Sequence, residues 1–240
     1  MTPETGADVL VAGIYLTDRE NTAPATIAEF SRSRNWSVAH QWAALGQRPA
    51  PKELDGVTSA YSGTPVPKFV LLNRLLAGID LGKYRFVIFA DDDIDLPSGF
   101  LDDYLGFVNR YDFALSQPAR THDSFIDHRF VERLDGIDAR WTNFVEIGPV
   151  VAMRHDAAAR LLPFDELSPM GWGYDFTWPR TMQDAGLRLG IVDAAPVRHS
   201  LRKPVTGYSW DTANDQQQKY LASRPHLSKL DAFRILESYA

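Results

Sequence analysis

Cysteine is absent from the 240 residues. That excludes disulfides, zinc–thiolate sites, iron–sulfur clusters and thiol nucleophiles, and leaves any metal to oxygen and imidazole ligands. No apolar run approaches the roughly 20 residues that span a bilayer. The N-terminus, MTPETGADVLVAGIY, lacks a basic region and does not read as a secretory signal. A basic surplus is missing as well: the formal net charge is −6, and nothing in it advertises nucleic-acid binding. There is no internal repeat and no low-complexity linker. The expectation is a cytoplasmic chain with no transmembrane segment and no nucleic-acid partner. What remains is ordinary globular composition, 45% hydrophobic and 23% charged, ample for a buried core.

Apolar patterning sets the expected elements. Val9 to Tyr15 reads as a buried strand, Pro24 opens a short helix through Phe30, and Trp36 to Trp42 is a second strand. Gly46 to Gly63 is polar and rich in Gly and Pro, a loop by composition. From Val66 the period becomes helical, and Tyr84 to Ala90 is a continuous apolar run suited to a strand covered on both faces. Pro97 and Ser98 start another amphipathic helix. Strands are expected at Asp112 to Ser116, Phe144 to Met153 and Leu187 to Val192, and helices at Ala157 to Leu162, Asp175 to Ala185 and Leu227 to Leu236. Alternation of strand and helix through the first half implies a largely parallel sheet.

Three segments carry chemistry. Asp91, Asp92, Asp93 and Asp95 follow the apolar strand, where open α/β sheets bind ligands. Carboxylates crowded together repel unless a proton or cation compensates, and Mg²⁺ or Mn²⁺ would do so while neutralising a diphosphate. The bland alternative is an acidic cap on the following helix, for which one Asp suffices. His199 follows the Leu187–Val192 strand and can complete a Mn²⁺ site, with Arg198, Arg202 and Lys203 near enough in sequence to meet phosphate. Taken alone, His199 reads rather as a surface histidine beside a solvated loop, and only the acidic cluster in the same chain brings the two readings level. Met170-Gly-Trp-Gly-Tyr-Asp175 joins two glycines, an aromatic plate and a carboxylate. Trp172 suits a sugar face and Asp175 a general base, although Asp175 also suits a helix cap. His40, His155 and His226 have no such company, whereas His122 and His128 lie in a polar segment.

Five blocks recur in a familiar order: Phe89-Ala-Asp-Asp-Asp93, Ser116-Gln-Pro-Ala119, Phe144-Val-Glu-Ile-Gly-Pro-Val150, Gly171-Trp-Gly-Tyr-Asp-Phe176, and Gly190-Ile-Val-Asp193 with His199. Together they resemble a glycosyltransferase-like family of unknown function, best known from plants and also found in bacteria. The resemblance implies an α/β GT-A fold, the Rossmann-like nucleotide-diphospho-sugar transferase architecture, as a single domain with a mixed central sheet. It divides the chain into a donor and metal half at about 8–115, an acceptor half at about 116–205 and a tail with a helix at 206–240. It assigns the metal, Mn²⁺ or Mg²⁺, to Asp91, Asp93 and His199, with Asp92 adjacent. The Trp-Gly-x-Asp block is similar to the Trp-Gly-x-Glu-Asp segment of inverting galactosyltransferases, which makes Asp175 the candidate base. Lys68 and Asn73, on the helix before the metal strand, are implied donor contacts, with Asp18 and Arg19 as weaker ones. Gln117, Glu146, Trp172 and Gly173 are implied contacts to acceptor or sugar.

The expected reaction is displacement at an anomeric carbon, with the nucleoside diphosphate leaving and a hydroxyl acceptor attacking. A nucleotidyltransferase is the first rival, but Val11-Ala-Gly-Ile-Tyr15 lacks the Gly-rich basic loop it usually shows. A non-catalytic sugar- or metal-binding module is the second, and it has no need of Asp175. A glycosidase needs neither a metal nor a diphosphate loop.

Overall fold

The computed structural model describes residues 7–202 and 210–240. Its strands are β1 (Val9–Leu16), β2 (Val38–Leu45), β3 (Thr58–Ser62), β4 (Phe86–Ala90), β5 (Ile94–Asp95), β6 (Phe113–Arg120), β7 (Ala139–Thr142), β8 (Val150–Arg154), β9 (Arg188–His199) and β10 (Ile235–Tyr239). The helices are α1 (Ala23–Ser31), α2 (Lys68–Leu76), α3 (Phe100–Arg110), α4 (His155–Leu161), α5 (Tyr174–Asp184), α6 (Trp210–Ala222) and α7 (Lys229–Ala232).

One mixed sheet runs β10-β7-β9-β6-β8-β4-β1-β2-β3, with β5 paired to β9. β1, β2, β3 and β4 are mutually parallel, the part that strand–helix alternation implied. β8 inserts antiparallel between β4 and β6, and beyond it β6 and β9 are again parallel. Successive strand residues face opposite sides, and both faces are covered. Leu10, Ala12, Val87 and Phe89 join α2, α4 and α5 in one core, while Val9, Val11, Phe86 and Ile88 join α1 and α3 in the other. That two-sided burial explains the unbroken apolar runs of β1 and β4.

Four expectations change. The Gly46–Gly63 segment contains the edge strand β3, whose residues alternate between half-buried and exposed. Phe144–Pro149 is irregular, so only the end of the expected Phe144–Met153 strand forms β8. β7 precedes it, with Arg140 fully buried in mid-strand. In the tail, the expected helix at Leu227–Leu236 shrinks to α7 and gives way to β10, which pairs with β7.

Candidate functional site

The acidic cluster stands where β4 leaves the sheet. The backbone N–H of Asp91 donates to the Pro149 carbonyl at 2.8 Å, extending the β4–β8 ladder by one step. Asp92 turns inward: its carboxylate accepts from the Leu16 N–H at 2.7 Å, and its carbonyl from the Thr22 N–H at 2.6 Å. It therefore ties the end of β1 to the end of β4. Burial pushes Asp92 up to about 6, against the charge of Arg202 and the Leu16 hydrogen bond. β5 then pairs with the last residues of β9, setting Ile94 opposite His199 and Asp95 opposite Arg198. Through this two-residue pairing, side chains more than 100 positions apart in sequence meet.

Asp93 Oδ1 lies 3.2 Å from His199 Nε2, and Asp93 Oδ2 lies 3.2 Å from Arg202 Nη2. Arg202 also pairs with Asp92, and Asp91 pairs with Lys68 Nζ at 2.5 Å. Burial alone would raise Asp93, but His199, Arg202 and Lys68 outweigh it and hold the carboxyl below the usual range. Gly148 is pressed against this group: a Cβ there would stand 3.0 Å from Asp91 Oδ2 and 3.2 Å from Lys68 Nζ. A side chain at 148 would therefore have to push the pair aside.

Arg120, at the end of β6, is a buried hub. Nη1 donates to His199 Nδ1 at 3.0 Å and to the Phe125 carbonyl at 3.3 Å. Nη2 donates to Glu146 Oε2 at 2.7 Å and to the Gly148 carbonyl at 2.7 Å. Glu146 is itself steered by Gln117, whose Oε1 accepts the Glu146 N–H at 2.5 Å. Burial pushes Glu146 up to about 7; Arg120 opposes this, and Asp127 and Asp175 add to it. Nothing in the sequence singled out Arg120, because an arginine at a strand end reads as surface.

Asp175 occupies the first turn of α5. Gly173 precedes it as the N-cap at φ 97°, a left-handed conformation that glycine adopts without strain. Burial pushes Asp175 up to about 7, although backbone N–H groups of Gly173 and Asp175 itself pull the other way. His128 Nε2 is 3.8 Å from Asp175 Oδ2. Trp172, half-buried, precedes Gly173, and its carbonyl accepts from Ser168 Oγ at 2.9 Å.

Comparison of the sequence with protein-family models and with curated proteins gives no match. Comparison of the structure does. One neighbour is described as "GalNAc-T7 with UDP, GalNAc and Mn2+", with a TM-score of 0.58 and 11% identity over 95% of this chain and 54% of that one. Another is described as "S. aureus TarS 1-349 in complex with UDP-GlcNAc", with a TM-score of 0.59 and 10% identity over 84% of this chain and 62% of that one. The fold is GT-A. This chain thus spans between half and two thirds of those GT-A structures.

Within the GT-A frame, the donor set can be tested against a divalent ion. Among the described residues, no group of three or more His, Asp or Glu side chains is arranged to hold one as it stands. Lys68 and Arg202 occupy the carboxylates instead. The chemistry of the donors nevertheless fits: two carboxylates and an imidazole suit Mn²⁺. Asp93 and His199, 3.2 Å apart, can both reach one ion at the ~2.1 Å usual for such ligands. Arg120 donates only, so it assigns the proton of a neutral His199 to Nε2, facing Asp93. For His199 to hold a cation through Nε2 as a neutral imidazole, the ring proton would have to move to Nδ1 and the Arg120 hydrogen bond there would have to open.

Several expected contacts are not brought to this cluster. Both amide atoms of Asn73 are committed to Phe164, each at 2.8 Å, and Asn73 lines a separate cavity of about 480 Å³. Arg198 faces away from His199, as alternation along β9 requires, and pairs with Asp123 and Asp95. The Asp18 carboxylate accepts from the Gln47 and Arg48 N–H groups, closing the loop after β2. His122 is exposed and pairs with Glu132. Lys203 lies outside the described residues. A cavity of about 630 Å³ beside α5, lined by Tyr174, Trp178, Tyr220 and Arg224 among others, includes no residue of the acidic cluster. Among the described residues no helix is long and apolar enough to cross a membrane.

Proposed function

We propose that this chain transfers a sugar from a nucleoside-diphosphate donor to a hydroxyl acceptor. Residues of about 8–115 serve the donor, joined by His199 and Arg202, and the remainder of about 116–205 serves the acceptor. The observation that supports this most is the β5–β9 pairing, which sets Asp93 against His199 and Arg202 at the mouth of a GT-A sheet. The neighbours' UDP and UDP-GlcNAc make a uridine diphosphate the first donor nucleotide to try.

In this reading Asp91, Asp93 and His199 hold a divalent ion, Mn²⁺ by virtue of the imidazole. When bound, that ion supplies positive charge against the developing charge of the leaving diphosphate. Lys68 and Arg202, which neutralise the carboxylates in the resting arrangement, turn their charge to phosphate oxygens. Asp92 keeps β1 and β4 in register beneath them. Asp175 removes the proton from the acceptor hydroxyl as it attacks the anomeric carbon, giving inversion. A carboxyl raised to about 7 is matched to that task near neutral pH. Trp172 offers a face to a sugar ring. Glu146, fixed by Gln117 and Arg120, accepts from a hydroxyl of donor or acceptor.

Thermal stabilisation against nucleoside diphosphates and nucleotide sugars, with and without Mn²⁺, tests the reading, because a ligand of the native state raises apparent stability. The expected result is stabilisation by one diphosphate that requires the metal and is lost in Asp93→Ala. Absence of any response to the whole panel at millimolar ligand would refute it.

A further inference from the structure

We propose, on the reading just given, that His128 and Asp175 form a proton-handling dyad. Asp175 takes the acceptor proton and His128 relays it to solvent. His128 acts through Asp175 and is thus a positioning residue rather than one that touches the reacting atoms.

A buried general base has to be emptied between turnovers. Asp175 has a side chain only 14% exposed, whereas His128, with Nε2 turned to it at 3.8 Å, is 33% exposed. The pair therefore forms a step from the interior toward water. The separation exceeds a hydrogen bond, and a side-chain shift of about 1 Å closes it. His128 does not sit on a free loop. Its ring lies edge-on to Phe144 at 5.2 Å and 5.3 Å from Phe233. Its carbonyl accepts the Val131 N–H at 3.0 Å. The preceding loop is pinned to β9 where the Phe125 N–H donates to the His199 carbonyl at 2.7 Å.

The charged groups around the pair leave imidazole as the group suited to the relay. Arg120 on β6 and Lys229 on α7 bear on His128 as cations, and Asp127 beside it as an anion. Glu146 bears on Asp175 as a second carboxylate. Arginine does not release its proton, and a carboxylate beside a carboxylate only holds one more firmly. Imidazole both takes and gives a proton near neutral pH. Burial, with Lys229 and Arg120, holds His128 below its ordinary value, so a proton placed on it leaves readily for water. The step balances. The acceptor oxygen bonds to the anomeric carbon as the bond from that carbon to the diphosphate oxygen breaks. The acceptor proton goes to Asp175, then to His128 Nε2, and the imidazolium loses a proton to solvent. His122, 60% exposed, faces Glu132 and Asp135 instead.

Imidazole NMR titration of the full chain, without nucleotide, tests the dyad. His128→Gln identifies the His128 signals. Those signals are expected to carry a step near pH 7, where Asp175 takes its proton, besides their own step at lower pH. Asp175→Asn should abolish the first step and leave the second almost in place, because Asp175 is already protonated when His128 titrates. If Asp175→Asn does not fold, the Asp175 carboxyl signal is followed in the unmutated chain, and its midpoint should coincide with the first step of the His128 signals, a step that Glu146→Gln leaves in place. A single-step His128 curve, or a first step that survives Asp175→Asn or departs from the Asp175 midpoint, overturns the proposal. Because no nucleotide enters this measurement, its failure removes the dyad and leaves the transferase reading to its own test.

Discussion

Replacing Asp193 by Asn removes one charge from the most deeply buried ion pair described in the molecule. Arg140, 2% exposed in mid-β7, donates from Nε to Asp193 Oδ2 and from Nη2 to Asp193 Oδ1, both at 2.9 Å; Asp193 is 0% exposed. The remaining guanidinium donors reach the carbonyls of Phe130 at 2.8 Å and Glu132 at 3.0 Å. Asp193 Oδ1 also accepts the Leu134 N–H at 2.9 Å. Asn at 193 preserves volume and one acceptor but strands the guanidinium charge away from water. Breaking such a pair from one side costs ~3–5 kcal/mol. Asp123→Asn is the control: it removes the partner of Arg198 from an ion pair in which Asp123 is 62% exposed. Exposed pairs contribute little, because water and salt screen them. Urea unfolding of the three proteins should show a midpoint lowered strongly in Asp193→Asn, weakly in Asp123→Asn, with similar slopes. If Asp193→Asn lies within about 1 kcal/mol of wild type, the claim that this pair pins the 130–134 segment to β9 fails. The consequence reaches the site, since His128 stands two residues before that segment.

Other expectations follow from the same contacts. With a donor and acceptor in hand, Asp175→Asn should lower turnover by ~10²–10⁴-fold and leave donor binding almost unchanged; equal losses in both would remove its role as base. Asn73→Ala, which unpairs the buried N–H and carbonyl of Phe164, should cost ~1–3 kcal/mol with no change in nucleotide affinity; lost affinity at full stability would return Asn73 to the donor site. His40 accepts from the Trp42 Nε1–H at 3.3 Å and donates to Ser31 Oγ at 2.9 Å, and burial depresses it to about 4. Its folded value lies below its unfolded one, so the unfolded chain binds the extra proton and stability falls as pH drops from ~6.5 toward 4, by up to ~3 kcal/mol. Unfolding free energies of wild type and His40→Gln between pH 7 and 4.5 should diverge in that sense, and parallel curves would contradict it.

How far the sequence could be read depends on the reach of the forces involved. β1, β4, α2 and α3 were legible because burial on one or two faces is written locally, as unbroken or periodic apolar runs. β3, β7 and β10 were not. β3 and β10 are edge strands with little buried on either side. β7 carries Arg140, whose presence in a core is permitted only by Asp193, 53 positions later. No window of local sequence contains that permission. The tail failed for a related reason: Leu230, Ile235 and Leu236 are apolar, yet all three are exposed, so they never marked a core face.

The candidate site divides along the same line. Asp91 and Asp93 were legible because a carboxylate cluster directly after a buried strand is a local signal, and Asp175 because its glycine-supported turn is one too. Arg120, His128 and the Arg202–Asp92 pair take their meaning from partners brought together by β5, β9 and the 121–128 loop. Asn73 shows the converse: its helix was placed correctly, but Phe164, 91 positions away, claims its amide. The placement of Arg198 follows from strand geometry alone. Arg198 and His199 are consecutive on a strand, and consecutive strand residues point to opposite faces. A strand end that presents His199 to the acidic cluster must present Arg198 to the other side, where Asp95 and Asp123 hold it. Recognising that β9 runs to His199, rather than stopping at Val192, therefore decides which of the two faces Asp93.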